Sequence, residues 1–256
     1  MRVKGKVCVI TGGASGIGKA LAERFHEEGA KGVVVADMQA DKLEQVAASV
    51  NGLAVVTDVS KEEDIKRLVK AAEDEYGHID VFVSNAGIAR MGGEESSDAD
   101  WQQNWDIHVM AHVYAARAVA EKMAARGEGY LINTASAAGL LTHVNSATYS
   151  VTKHAAVSFA EWLSINYGDR GVHVSVLAPQ AVRTAMTSGR NVSVASVDGM
   201  IEPEQLADCV IETMDKEEFL ILPHEQVREY MKRKALDVDR WLSGMRRFKA
   251  KRPESG

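Results

Sequence analysis

Tyr149 and Lys153, written Tyr-Ser-Val-Thr-Lys, stand four residues apart, so on a helix a phenol and an ammonium share one face. An ammonium beside a phenol favours the phenolate and draws the tyrosine pKa down from about 10. A tyrosine tuned in this way serves as a general acid or base. The spacing alone is common on helix surfaces, so its meaning depends on what accompanies it. Ser136 stands upstream, and near the start of the chain runs Thr11-Gly12-Gly13-Ala14-Ser15-Gly16-Ile17-Gly18.

The glycine stretch follows a strand-like run and opens a helical one. Glycines let the backbone turn tightly and approach a pyrophosphate, and free N–H groups at a helix start favour the anion. The order is Gly-x-x-x-Gly-x-Gly, not the Gly-x-Gly-x-x-Gly dinucleotide fingerprint. Gly13 to Lys19 also spells Gly-x-x-x-x-Gly-Lys, a near P-loop, but Ala20 follows and offers Mg²⁺ no hydroxyl. Asp37 ends the second apolar run, about twenty residues past the glycines, where a carboxylate accepts hydrogen bonds from an adenosine ribose. A 2′-phosphate there meets like charge, and Ala14, Ser15 and Met38 bring no compensating cation. NAD(H) is therefore the expected cofactor over NADP(H).

Short apolar runs alternate with helical patterns almost throughout. The runs are Val7–Thr11, Gly32–Ala36, Ala54–Thr57, Val81–Ser84, Tyr130–Thr134, Val172–Leu177 and Phe219–Leu222. Between them lie Lys19–Glu28, Asp41–Val50, Glu62–Tyr76, Trp101–Ala125, Ala147–Tyr167 and Pro203–Met214. Nearly continuous β-branched runs imply strands buried on both faces, and the alternation predicts an α/β, doubly wound, seven-stranded parallel sheet flanked by helices. Ligands of such sheets bind beyond the carboxyl ends of the strands, and every motif above falls at such an end or on the helix that follows.

No linker or repeat divides the chain, which is long enough to bury one large core at 256 residues. Residues 1–223 read as the nucleotide-binding and catalytic body, and 224–256 as a basic amphipathic helical extension of the same domain. In that extension Val227, Met231, Val238, Leu242, Met245 and Phe248 recur at helical spacing among cations running from Arg228 to Arg252. A solvated basic face over a docked apolar stripe is the expected arrangement. The net charge of −6 argues against nucleic acid as a partner, and no apolar stretch is long enough for a bilayer span. No secretory signal is visible, and Cys8 and Cys209 lack metal-ligand spacing. Buried free thiols in a reducing cytoplasm, and no metal, are the expectation.

Together these residues resemble the classical short-chain dehydrogenase/reductase family over roughly Lys4 to Leu222. The resemblance implies a Rossmann-type fold. It assigns Gly12, Ser15, Gly16, Ile17 and Gly18 to the cofactor turn, and Asp58-Val59 to the adenine. Asn85-Ala86-Gly87 matches the motif closing the fourth strand. Ser136, Tyr149 and Lys153 match the catalytic serine, tyrosine and lysine. By that likeness Tyr149 exchanges the proton of a secondary alcohol or ketone, Ser136 holds the substrate oxygen, and Lys153 keeps Tyr149 acidic and binds the nicotinamide ribose. Pro179, Val182 and Thr184 resemble positions at the nicotinamide end.

Two positions depart from the pattern. His108 stands where the family has a catalytic asparagine that holds a water behind the lysine; a neutral imidazole can serve that water, whereas a charged one opposes Lys153. Gln180 replaces the glycine that commonly follows Pro179, and either faces substrate or fills space at the rim. Segments Ile88–Glu94, Ala137–Ser146 and Gln180–Gly199 are expected to shape the pocket, the last as a mobile lid. Leu140, Leu141, Val144 and Met186 supply apolar contacts, and His143 and Asn145 polar ones. The family's matching helices form dimer interfaces, so the helices bearing Trp105, Tyr114 and Trp162 are expected to build a homotetramer, or a homodimer. A ketoacyl or quinone reductase, and a non-catalytic NAD-binding sensor or scaffold, stay open as alternatives.

Overall fold

In the computed structural model, which describes residues 1–188 and 194–251, the apolar runs become strands β1 (Val7–Thr11), β2 (Gly32–Asp37), β3 (Leu53–Val56), β4 (Val81–Ser84), β5 (Gly129–Thr134), β6 (Val172–Leu177) and β7 (Leu220–Ile221). All pair in parallel, in the order β3-β2-β1-β4-β5-β6-β7. The direction of winding reverses between β1 and β4, which opens a crevice beyond their carboxyl ends. Helices α1 (Gly16–Glu27), α2 (Ala40–Ser49), α3 (Glu62–Tyr76), α4 (Asp98–Trp105) and α5 (Ala111–Arg126) belong to the first part of the chain. The later part adds α6 (Ala138–Leu141), α7 (Ala147–Tyr167), α8 (Pro203–Lys216), α9 (Gln226–Leu236) and α10 (Val238–Ala250).

Strand side chains alternate between two cores. Val9 of β1 joins Leu68, Val119 and Ala156 on the face covered by α3, α5 and α7. Its neighbours Cys8 and Ile10 join Leu21, Leu43 and Val210 on the face covered by α1, α2 and α8. This double burial is why the strands read as continuous apolar runs, and each fully buried branched side chain contributes about 1.5–3 kcal/mol.

Three local features depart from expectation. The stretch expected as one helix from Trp101 is α4, a π-turn at Asp106–Met110, and α5. His108 lies in the widened turn, a kind of bulge common at functional sites. The fold adds α6, which apolar periodicity over so few residues does not signal. Of the two cysteines, Cys8 is buried and Cys209 only half-buried, because Cys209 lies at the rim of the face that α8 packs down.

The extension forms the expected pair of helices, α9 and α10. Val227 is buried in the main core and Met231 packs against it, Met245 and Phe248 are half-buried, and Val238 and Leu242 are about half exposed, at 52% and 48%, so the stripe docks most closely at its start. Arg252 lies outside the described residues, as do Gly189 to Ser193 of the expected lid. Among the described residues no helix is long and apolar enough to cross a membrane.

Candidate active site

The glycine turn sits in the crevice between β1 and β4. Gly12 has φ +68°, a conformation that favours glycine, and a Cβ there would lie 2.9 Å from Ala86 Cα. A Cβ on Gly18 would fall 2.7 Å from the Gly12 carbonyl carbon and inside its oxygen, so the start of α1 touches the strand-end backbone. Thr11 ties the crevice together: its Oγ1 accepts the N–H groups of Asn85 and Ala86 at 2.9 and 3.1 Å, and Asn85 Nδ2 donates to Thr11 O at 3.0 Å. Ser15 is the N-cap of α1, but its side chain makes no capping bond. The first-turn N–H groups at Gly16, Ile17 and Gly18 have no partner four residues back and suit a pyrophosphate. These close approaches leave backbone, not side chains, facing the crevice, which fits a dinucleotide.

Asp37 ends β2. Its Oδ2 accepts the Ala14 N–H at 3.3 Å and its Oδ1 the Gln39 N–H at 3.1 Å, which fixes the carboxylate at the edge of the turn. Asp58 is committed locally, since it accepts from Ser60 N at 3.1 Å, from Ser60 Oγ at 2.7 Å and from Lys61 at 3.1 Å. Burial alone would raise the Asp58 pKa, but these hydrogen bonds and the Lys61 charge hold it below the ordinary value. Val59 beside it is buried. Gly87 stands against the His108 ring, with Nε2 3.7 Å from the place of a Cβ.

The reaction side is assembled by β5 and α7. Ser136 follows β5 by two residues; its Oγ accepts the Ala138 N–H at 3.2 Å and lies 3.4 Å from the Pro179 carbonyl. Ser146 caps α7, with its Oγ accepting the Tyr149 N–H at 3.2 Å, and so sets the first turn that carries Tyr149. The Ser136 hydroxyl lies close enough to the Tyr149 phenol to favour the phenolate. Lys153 is buried, 5.6 Å from the Tyr149 ring centre, and its Nζ donates to Thr134 O at 2.9 Å. Ser136, Tyr149 and Lys153 thus meet at the end of β5.

The electrostatics differ from the sequence expectation. Desolvation raises the Tyr149 pKa, although the Ser136 hydroxyl opposes it, and burial lowers Lys153 to about 7. Both shifts have desolvation as their largest cause, with Lys153 buried and Tyr149 half-buried, and Nζ donates to a backbone carbonyl. Burial, then Lys153 and His112 nearby, take His108 down to about 2 against a hydrogen bond to the Ile88 carbonyl. The imidazole therefore stays neutral, and the charging near pH 6.5 considered from its type does not arise. Both ring nitrogens are engaged, Nδ1 with Thr152 Oγ1 at 3.0 Å and Nε2 with the Ile88 backbone, its N–H at 3.2 Å and its carbonyl at 3.1 Å. The ring stands edge-on to Tyr149 with centres 5.4 Å apart.

Of the pocket segments, Leu141 is buried and Met186 is 46% exposed. His143 Nδ1 accepts the Asn145 N–H at 3.3 Å. Val182 pairs with Ile201 in an isolated bridge, and the Thr184 methyl lies 3.0 Å from the place of a Gly16 Cβ, which brings the two motifs together. Sequence reasoning missed Thr134 and Thr152, which fix Lys153 and His108; Thr152 stands inside the Tyr-to-Lys motif, so spacing alone could have marked it. It also missed His112, buried one turn beyond His108, whose pKa burial and then Lys153 lower to about 3 against Asn133.

The family model for short chain dehydrogenase matches residues 6–194. The 1-deoxy-11-beta-hydroxypentalenate dehydrogenase of Streptomyces exfoliatus is 34% identical over 253 residues, covering 95% of this chain and 92% of that protein. A short-chain dehydrogenase/reductase from Burkholderia phymatum, solved with NAD, superposes with a TM-score of 0.85 at 27% identity, covering 93% of this chain and 96% of that one. The L-sorbose reductase of Gluconobacter frateurii, solved with NADPH and L-sorbose, gives 0.77 at 28% identity over 87% and 95%.

Proposed function

The chain belongs to the short-chain dehydrogenase family, and on that premise we propose that it is an NAD(H)-dependent oxidoreductase interconverting a secondary alcohol and its ketone, with Tyr149 as general acid and base. The observation that carries this reading is the meeting of the Ser136 hydroxyl, the Tyr149 phenol and the buried Lys153 at the end of β5, beside a crevice lined by glycine backbone.

Gly12 and Ser15 to Gly18 would hold the pyrophosphate, Asp37 the adenosine ribose, and Asp58 and Val59 the adenine edge. Asn85, Ala86 and Gly87 form the floor, Tyr149 and Lys153 bind the nicotinamide ribose, and Pro179, Val182 and Thr184 flank the nicotinamide. When bound, the nicotinamide supplies the site that accepts or gives hydride. Asp37 supports NAD(H), because its fixed carboxylate would face a 2′-phosphate with like charge. Ser136 holds the substrate oxygen against Tyr149 Oη, which takes the alcohol proton during oxidation and returns it to the ketone oxygen during reduction. The raised Tyr149 pKa keeps the phenol protonated at neutral pH, the form that donates in reduction. Oxidation needs the phenolate and therefore gains with rising pH.

His108 serves here as a positioning residue, since its ring joins Ile88 to Thr152 and holds the loop after β4 against the helix of Tyr149 and Lys153. Leu141, His143, Gln180 and Met186 line the substrate side, where an apolar skeleton fits. Exposed Trp105, Val151, Trp162 and Ile165 support a homotetramer or homodimer, and light scattering at the mass of one chain would remove that part.

The test is NADH formation against a panel of secondary alcohols, with NADP⁺ as control. Tyr149→Phe should retain NADH binding and lose turnover by about a thousandfold or more. Normal rates in that variant would overturn the mechanism, and equal efficiency with NADP⁺ would overturn the cofactor assignment.

A further inference from the structure

Gln180 follows Pro179, whose carbonyl accepts the Ala137 N–H at 2.9 Å and lies 3.4 Å from Ser136 Oγ. The glutamine is thus tied to the turn that carries the substrate-holding serine. Groups distant in sequence fasten it. Its backbone N–H donates to His224 Nδ1 at 3.3 Å, and its Nε2 donates to Asp198 Oδ2 at 2.9 Å. Tyr230 Oη donates to the other carboxylate oxygen, Oδ1, at 2.8 Å. His224 and Tyr230 both belong to the C-terminal extension, and Tyr230 is itself braced against Trp241 and the main core.

A carboxylate only accepts, so the amide atom facing Asp198 is the nitrogen and the orientation of Gln180 is fixed. Its Oε1 then points away from Asp198, and it is a buried acceptor with no hydrogen-bond partner among the described residues. Buried acceptors are almost always paired. This one belongs to the residue after Pro179, whose carbonyl approaches Ser136 Oγ, on a side chain held through its amide nitrogen.

We propose that Gln180 is a recognition residue: its Oε1 accepts a hydrogen bond from an N–H or O–H donor on the bound ligand, and the C-terminal extension aims it through Asp198, Tyr230 and His224. The inference rests on the dinucleotide and alcohol site proposed above. Two donors satisfy the same chemistry, the carboxamide N–H of the nicotinamide and a second hydroxyl on the alcohol. A site built around a buried acceptor rejects the analogue that lacks the donor, because the acceptor then stays unpaired. Asp198 and Tyr230 act through Gln180 and are positioning residues.

The experiment uses the full chain and two matched ligand pairs. The first pair is NADH and its 3-acetylpyridine analogue, in which a methyl replaces the carboxamide nitrogen, compared by dissociation constant. The second is a cyclic secondary alcohol and its vicinal diol, compared by KM with NAD⁺. The wild-type chain should favour the donor-bearing member of one pair by about threefold to tenfold, and the pair affected identifies the donor. Gln180→Met, similar in length but without the acceptor, should abolish the preference in that pair. Tyr230→Phe should narrow it, a change of ratio that a merely structural role for the hydroxyl would not produce. A chain that binds dinucleotide and turns over nothing still reports through the first pair, which separates failure of the proposed reaction from failure of this recognition. Equal treatment of both members of both pairs by the wild-type chain, or an unchanged preference in Gln180→Met, overturns the proposal, as does a chain that binds no dinucleotide.

Discussion

The crevice between β1 and β4 is lined largely by backbone, whereas polar and ionisable side chains removed wholly or partly from water gather beyond β5. In the first, Gly12, Gly16 and Gly18 bring chain segments within contact of one another, and Thr11 pairs with Asn85 through main-chain and side-chain bonds. In the second, Tyr149, Lys153, His108, His112 and His224 all have pKa values shifted towards the neutral form, with burial as the largest cause each time. One region is shaped by close backbone contacts that leave no room for an added atom. The other holds proton-carrying groups in low dielectric and is exposed to changes of pH. Binding and chemistry thus fail by different routes, and each route has its own perturbation.

The largest effect should come from adding one methyl group to the first region. In Gly18→Ala the new Cβ meets the Gly12 carbonyl and lies 2.9 Å from Asn85 Nδ2, so the Gly12 backbone on one side and the Asn85 side chain on the other have to move. Overpacking against backbone is expected to destabilise the fold by about 3 kcal/mol and to weaken NADH binding with it. Urea midpoints and NADH titration measure the two effects on the same sample. A variant with wild-type stability and affinity would mean that the crevice is looser than its contacts imply, and the contrast between the two regions would collapse.

The same division explains what could be read from the sequence. Glycines, the strand-end Asp37 and the order of apolar runs are local signals, because tight turns and double burial restrict residue type wherever they occur. The doubly wound parallel sheet followed from them, whereas the order of its strands did not, and the grouping of Ser136, Tyr149 and Lys153 was implied by the family resemblance. Thr134 could not be foreseen as the Lys153 partner, since it contributes a backbone oxygen that any residue would supply. Asp198 and Tyr230 were equally hidden: 32 residues separate them, and only the packing of the extension brings them to Gln180. The direction of the Tyr149 shift was misjudged for a related reason. Spacing shows that an ammonium is near, but not that burial outweighs it or that the ammonium faces Thr134.

A smaller effect isolates the second region. His108 and His112 keep pKa values of about 2 and about 3 when folded, against about 6.5 in an unfolded chain. Below pH 6.5 the unfolded chain therefore binds two protons that the folded chain refuses, and stability falls as the pH falls. Each histidine contributes a loss approaching about 1.4 kcal/mol per pH unit, so the pair costs roughly 2.7 kcal/mol between pH 7.5 and 5.5. Asparagine does not titrate, so His108→Asn should lose stability about 1.4 kcal/mol less steeply over that interval, whatever its stability at pH 7.5. Urea unfolding at the two pH values gives the difference directly, free of any constant cost of the substitution. An unchanged pH dependence would show that His108 charges in the folded chain, and the neutral imidazole joining Ile88 to Thr152 would have to be abandoned.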